Sequence, residues 1–224
     1  MFIVIEGLDG SGKSTQLQML REYLQKQNIP YEYVHFPRTD TPFFGELIAR
    51  FLRGELGPND KVDPYLVAML YAGDRRDAAA TIRKWLNEGK QVIVDRYVCS
   101  NIAYQCAKLN APELKNDLKN WILKLEYEYF GIPVPDVNVF LDVPMEFIAK
   151  NLSTSRTGSD RHYLQGNTDI HENDLEFQKK VRDTYLWLAQ TEPTMRIIAC
   201  YDENGMLPPE NVFKKLQREL GLMV

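Results

Sequence analysis

Gly7-Leu8-Asp9-Gly10-Ser11-Gly12-Lys13-Ser14 fills every fixed place of the pattern G-x-x-x-x-G-K-[ST]. Just before it, Phe2-Ile3-Val4-Ile5 is a β-branched and aromatic run that reads as a buried strand. From Thr15 onward, Leu17, Leu20 and Leu24 recur at helical spacing, with Gln16, Met19 and Tyr23 interleaved. A strand, a glycine-rich turn and a helix make the arrangement in which backbone N–H groups and a helix N-terminus surround a phosphate. Gly7 through Thr15 are therefore candidate contacts to a nucleoside triphosphate such as ATP. Lys13 would reach the β- and γ-phosphates, and the Ser14 hydroxyl would sit on Mg²⁺. A chance glycine-rich turn would not explain why strand, loop, Lys-Ser pair and helix stand in register.

At 224 residues the chain suits one α/β domain, residues 1–224, with room for a small mobile insert. Its hydrophobic share of 44% and charged share of 26% are ordinary for a soluble globular protein. With a net charge of −4 there is no bulk basic field to draw in nucleic acid or a membrane surface. An anionic substrate must instead be held by local clusters of Arg and Lys. Cys99, Cys106 and Cys200 form no C-x-x-C pair, which argues against a zinc site or disulfide framework and fits a reducing cytoplasm. No apolar run approaches membrane-spanning length and no signal peptide is visible.

Strand candidates at Phe2–Ile5, Tyr31–Phe36, Val92–Val94, Val137–Leu141 and Arg196–Cys200 alternate with helical patterns near 13–27, 63–88, 98–108, 111–130, 172–190 and 209–220. Such alternation implies parallel pairing through right-handed crossovers. The expected fold class is a P-loop three-layer α/β/α architecture with a five-stranded parallel sheet. Residues 153–168 (STSRTGSDRHYLQGNT) break the pattern, being polar and arginine-bearing without a period. A loop of that kind reads as a short mobile lid.

In a doubly wound sheet ligands bind beyond the carboxyl ends of the strands. That rule singles out Glu6-Gly7, Phe36-Pro37-Arg38, Asp95-Arg96-Tyr97 and Asp142. Phosphoryl transfer depends mainly on positioning and charge neutralisation, so cations mark the site. Lys13 lies in the loop and Arg96 at the adjoining strand end. Arg156 and Arg161 lie in the polar segment, either as catalytic cations that close onto the phosphoryl group or as a solvated basic surface. Asp95 would hold the metal, directly or through water, or else cap the helix that starts near Cys99. The N-K-x-D guanine-reading motif of GTPases is missing. A short chain of this kind with a second arginine-bearing loop suggests a small-molecule kinase.

These segments resemble the thymidylate (dTMP) kinases. Glu6 through Thr15 is similar to that family's loop, and Phe36-Pro37-Arg38 to its F-P-R segment. Leu70-Tyr71-Ala72-Gly73-Asp74-Arg75 resembles its thymine-holding helix segment. Asp95-Arg96-Tyr97, followed by Ser100-Asn101 and Tyr104-Gln105, is similar to its D-R-Y-x-x-S-N-x-A-Y-Q stretch. Asp136, Leu141-Asp142-Val143-Pro144, and Arg156 with Asp160-Arg161 match its fourth-strand and lid regions. The likeness runs from Phe2 to about Ala189.

The resemblance implies transfer of the γ-phosphoryl group of MgATP to dTMP, and a homodimer. It implies that Asp9 binds the deoxyribose 3′-hydroxyl, and that Arg38, Arg96 and Lys13 hold the acceptor phosphate. Tyr71 would stack on thymine, Arg75 and Asn101 would read its edge, and Tyr104 would crowd a 2′-hydroxyl. Phe36, Pro37, Ser100 and Gln105 would complete the acceptor site. On pattern alone, Tyr71 and Tyr104 equally suit core aromatics, and Arg75 suits a pair with Asp74 or Asp77. The chain departs from the family at three places. Tyr71 stands where Phe is more frequent, and Gly10 where some members carry Arg. At His171 relatives often have an aromatic, and a lone histidine there reads as a surface residue. Two rivals stay open at this point: a kinase of this fold for another nucleotide or a deoxynucleoside, and an ATP-dependent switch protein.

Overall fold

A computed structural model of the chain describes residues 1–153, 159–166, 169–171 and 174–222, with side chains except at 159–161. The first strand, β1 (Phe2–Gly7), is buried along its whole length and occupies the centre of a five-stranded sheet. Its neighbours are β3 (Gln91–Asp95) and β4 (Val137–Asp142), with β2 (Tyr31–His35) and β5 (Met195–Ala199) at the edges, giving the order β2-β3-β1-β4-β5. Every pair in this sheet is parallel. Ile5 lies opposite Asp95 on one side and Val139 on the other. A central parallel strand is covered on both faces, which is why β1 reads as a continuous apolar run rather than an alternating one.

The helices α1 (Lys13–Lys26), α3 (Pro64–Asn87), α4 (Val98–Cys106), α5 (Pro112–Leu123), α7 (Leu175–Thr191) and α8 (Pro209–Glu219) follow the apolar periodicity, with ends shifted by a few residues. The helix expected over 111–130 instead leaves the α register: Lys124–Tyr129 form a π-helical turn. Two helices carry no sequence signal strong enough to separate them from loops. These are α2 (Phe44–Leu52) and α6 (Met145–Ser153). Ile48, Phe51 and Leu52 of α2 meet Val67 of α3 in a small second core, so α2 exists because α3 offers it an apolar wall. After β5 the chain makes a two-stranded antiparallel hairpin, β6 (Tyr201–Asp202) and β7 (Gly205–Met206), also unforeseen. All three cysteines are buried and unpaired. Among the described residues, no helix is long and apolar enough to cross a membrane.

Candidate active site

The loop from β1 into α1 wraps as its glycines dictate. Gly10 and Gly12 have φ of +77° and +84°, a region where side chains with a Cβ are strained. At Gly10 a Cβ would also press on Asn151 of α6, whose Nδ2 donates to the Gly10 carbonyl at 2.7 Å. Lys13 folds back so that Nζ donates to the carbonyls of Gly7 (3.2 Å) and Leu8 (3.1 Å). Burial and the neighbouring Arg96 charge push its ammonium down to about 8, against the opposing pull of Asp95, Asp9 and Glu6. Ser14 and Thr15 are exposed at the head of α1.

A cleft of about 1030 Å³ opens at the carboxyl ends of β1, β2 and β3. Its walls include Asp9 and Ser14 from the loop region, Phe36-Pro37-Arg38, Tyr71 and Arg75 from α3, Asp95-Arg96, and Ser100, Asn101, Tyr104 and Gln105. The acceptor-site residues expected from the sequence thus line one cavity, at separations of up to 96 positions along the chain, except Lys13, which is not on its wall. Arg156 lies outside the described residues, and so does the side chain of Arg161. His162 and Tyr163, from the 3₁₀ turn Ser159–Leu164, do reach the cleft.

Arg96 sits in the left-handed region at φ +66°, an uncommon conformation for an arginine and a mark of a position fixed by its surroundings. Its Nη2 donates to Asp9 Oδ1 at 2.8 Å. Burial alone would raise the Asp9 carboxyl, but the charges of Arg96 and Lys13 and the Tyr104 hydroxyl hold it well below the usual carboxylate range. Tyr104 Oη donates to Asp9 Oδ2 at 2.9 Å, which makes Tyr104 a polar contact and not merely a core aromatic.

Arg38 is anchored rather than free. Its backbone N–H and Nε donate to the two oxygens of Asp74 at 2.9 and 2.8 Å, and Nη2 donates to the Asp74 carbonyl at 2.7 Å. Arg75 pairs with neither Asp74 nor Asp77. It makes a fork onto Glu126 instead, at 2.5 and 2.7 Å. Asp95 does not cap α4 as one reading allowed, because Glu6 takes that place, accepting from the N–H groups of Tyr97 (3.0 Å) and Ser100 (3.2 Å). Asp95 Oδ2 lies 3.1 Å from His35 Nδ1, while its Oδ1 is buried with no hydrogen-bond partner.

The sequence model of the thymidylate kinase family matches residues 5–204. The chain belongs to that family. It is 34% identical over 208 residues to the probable thymidylate kinase of Thermococcus kodakarensis, covering 91% of each chain. It is 33% identical over 189 residues to the thymidylate kinase of Mycobacterium tuberculosis, covering 84% of this chain and 86% of that one. The solved structure of the Candida albicans thymidylate kinase superposes with a TM-score of 0.70 at 27% identity, over 98% of this chain and 90% of that chain. As a thymidylate kinase the protein phosphorylates dTMP with ATP as donor.

Several contacts of this kinase site were not legible in the sequence. Glu6 is fully buried and also accepts from the hydroxyls of Ser100 and Tyr185 (2.9 Å for the latter). Burial raises its carboxyl despite those bonds. The sequence placed Glu6 at a strand end beside the loop but named none of these partners. Gln178 of α7 donates to Asp9 Oδ2 at 3.3 Å and to the His171 carbonyl at 2.8 Å, and nothing in its local sequence announces it. Arg182 forks onto Asp142 at 2.6 and 2.8 Å beside Tyr201.

His171 is the clear correction. It is 4% exposed, not a surface residue, and packs among the rings of Phe51, Tyr104 and Phe177 at 5.0–5.7 Å between centroids. Burial drives its imidazole down to about 3, so it is a neutral ring packed among aromatic rings.

Proposed function

We propose that the phosphate loop binds ATP and that the cleft walled by Phe36, Arg38, Tyr71 and Tyr104 binds dTMP, with Arg96 bridging the two. The 2.8 Å contact between Arg96 and Asp9 carries this reading, because it fixes one guanidinium between the donor loop and the acceptor cavity. Arg38, held by Asp74 on its Nε side, presents the rest of its fork to the acceptor phosphate. Tyr71 offers a flat face for the base. The attacking phosphate oxygen of dTMP is already an anion, so no general base is needed. Lys13 and Arg96, joined by the lid arginines Arg156 and Arg161, would neutralise charge as the γ-phosphoryl group moves.

Mg²⁺ fits this site. Asp95 and Ser14 both line the cleft, and Asp95 Oδ1 is buried without a hydrogen-bond partner. Among the described residues no group of three or more His, Cys, Asp or Glu forms a metal cage, in keeping with a cation held largely by phosphate and water. Asp95 and Ser14 would hold Mg²⁺, directly or through water, and the ion would supply positive charge to the transferring phosphate.

The reading extends to one domain with a lid over 153–168, and to a cytoplasmic setting consistent with three free thiols. It also includes a homodimer, supported by Leu66 and Met69, which stand 57% and 43% exposed one turn apart on α3. The test is an ADP-release assay with dTMP, dUMP, CMP, AMP and thymidine on the native protein and Tyr71→Ala. The expected result is preference for dTMP and a raised KM for dTMP alone in the variant. An unchanged dTMP KM in folded Tyr71→Ala would overturn the placement of the base.

A further inference from the structure

The apolar stripe of α5 runs through Leu118 and Ile122, and the next place on that face is Glu126, fully buried. A carboxylate in a core stripe must be paired and hydrogen-bonded to survive there. It is: Arg75 donates to both oxygens, and Asn101 Nδ2 donates to Oε1 at 3.0 Å. The π-helical turn at Lys124–Tyr129 widens the helix at this point, a distortion frequent at functional sites. All three side chains are at most 3% exposed.

The chemistry of these contacts fixes the amide of Asn101. One of its terminal atoms lies 3.0 Å from the Ala68 carbonyl and 3.0 Å from Glu126 Oε1. Both neighbours are acceptors, so that atom must be the NH₂ group. The other terminal atom, Oδ1, is then an acceptor, and it is buried without a partner on a residue that lines the cleft. Arg75, committed to Glu126 through Nε and Nη2, has no protein partner for Nη1 among the described residues. It also lines the cleft, as a donor only.

We infer that Glu126 is a specificity-determining positioning residue: by clamping Arg75 and Asn101 it presents the base with one donor beside one acceptor. This inference rests on the placement of dTMP in the cleft. A 4-keto pyrimidine offers the complement, an O4 acceptor next to an N3–H donor. Cytosine offers N4–H₂ and an unprotonated N3, which opposes the pattern at both atoms. Thymine and uracil are accepted alike by this device, so methyl recognition lies elsewhere. A site built to hydrogen-bond one edge rejects its mismatch strongly, because buried polar groups are left unpaired.

The test compares kcat and KM for dTMP, dCMP and ATP in the native protein, Asn101→Ala and Glu126→Gln. A glutamine amide at 126 can donate to Asn101, which leaves the Ala68 carbonyl alone to orient it. The expected result for Glu126→Gln is a dTMP:dCMP preference, in kcat/KM, reduced at least about tenfold with KM for ATP unchanged. A merely structural loss would lower activity on both pyrimidines together and keep their ratio. A folded Glu126→Gln with the native ratio overturns the inference. If that variant fails to fold, Glu126→Asp keeps the charge on Arg75 but withdraws the carboxylate by one methylene, and the same ratio is read. An unchanged dTMP KM in Asn101→Ala overturns the base placement instead, which separates the two failures.

Discussion

Arg38→Ala tests separately the pairing of Arg38 with Asp74 and its proposed hold on the acceptor phosphate. In the folded protein its Nε and backbone N–H hold the two oxygens of Asp74, which is itself 1% exposed, while the Arg38 side chain is 24% exposed. Removing one partner of a fully buried pair costs about 3–5 kcal/mol. Because Arg38 is partly solvated and its backbone N–H stays on Asp74, the loss should fall to about 1–3 kcal/mol. For a chain of this size that lowers Tm by roughly 3–10 °C. The acceptor phosphate loses a charge-assisted hydrogen bond as well, about 1.5–3 kcal/mol, which raises KM for dTMP roughly 10- to 100-fold. KM for ATP should move less than about threefold, since Lys13 and the loop amides are untouched. Adding Asp74→Asn to Arg38→Ala removes the stranded charge, so Tm should recover while KM for dTMP stays high. Steady-state kinetics in both substrates and thermal unfolding of both variants check this. Equal increases in the two KM values, or recovery of dTMP binding in the double variant, would refute the reasoning.

Glu6→Ala leaves the N–H groups of Tyr97 and Ser100 without their acceptor and leaves the Ser100 and Tyr185 hydroxyls with only each other, at an expected cost of about 3–5 kcal/mol. Urea unfolding should show this together with a fall in kcat as the Arg96 turn loosens, and a loss below about 1 kcal/mol would contradict the assignment. His171 has a folded-state pKa of about 3 against an ordinary value near 6.5, so between those pH values the unfolded chain binds a proton that the folded chain does not. Stability therefore falls as the medium is acidified through that window, and His171→Phe should gain about 2 kcal/mol relative to the native protein between pH 7 and pH 5. Parallel pH–stability curves for the two proteins would disprove it. Gly73→Ala would drive a Cβ into the Phe44 ring and push α2 off α3, for a loss of about 1–3 kcal/mol by denaturant titration and a raised KM for dTMP through the Arg38 loop.

What could be read from the sequence was what is local. The strand, loop and helix from Phe2 to Lys26 are contiguous, and the conformations of Gly10 and Gly12 are encoded by glycine itself. Asp95-Arg96 could be placed because a parallel sheet brings its strand ends to one edge, a rule that needs only the strand assignment. Contacts made across the fold were not legible. Glu6 meets Tyr185 across 179 positions, and Arg75 meets Glu126 across 51, so the nearer acids Asp74 and Asp77 looked like equal partners. The aromatic cage of His171 comes from α2, α4 and α7, and α2 itself left no signal apart from its packing against α3. Burial of a polar side chain is a property of its neighbours, and a single sequence carries no list of them.

Asp9 shows how these levels join. It occupies a filler position of the phosphate loop, yet residues from three other parts of the fold converge on its carboxylate. Arg96 takes Oδ1, while Tyr104 and Gln178 both donate to Oδ2. Two carboxylate oxygens offer about four acceptor sites, so three donors leave room for one more. With its carboxyl held well below the usual carboxylate range, Asp9 is ionised near neutral pH and that remaining site is an acceptor. A hydroxyl can fill it and an ether oxygen cannot. In the proposed pose the group arriving there is the 3′-hydroxyl of the acceptor, which would tie the sugar to the loop that binds the donor.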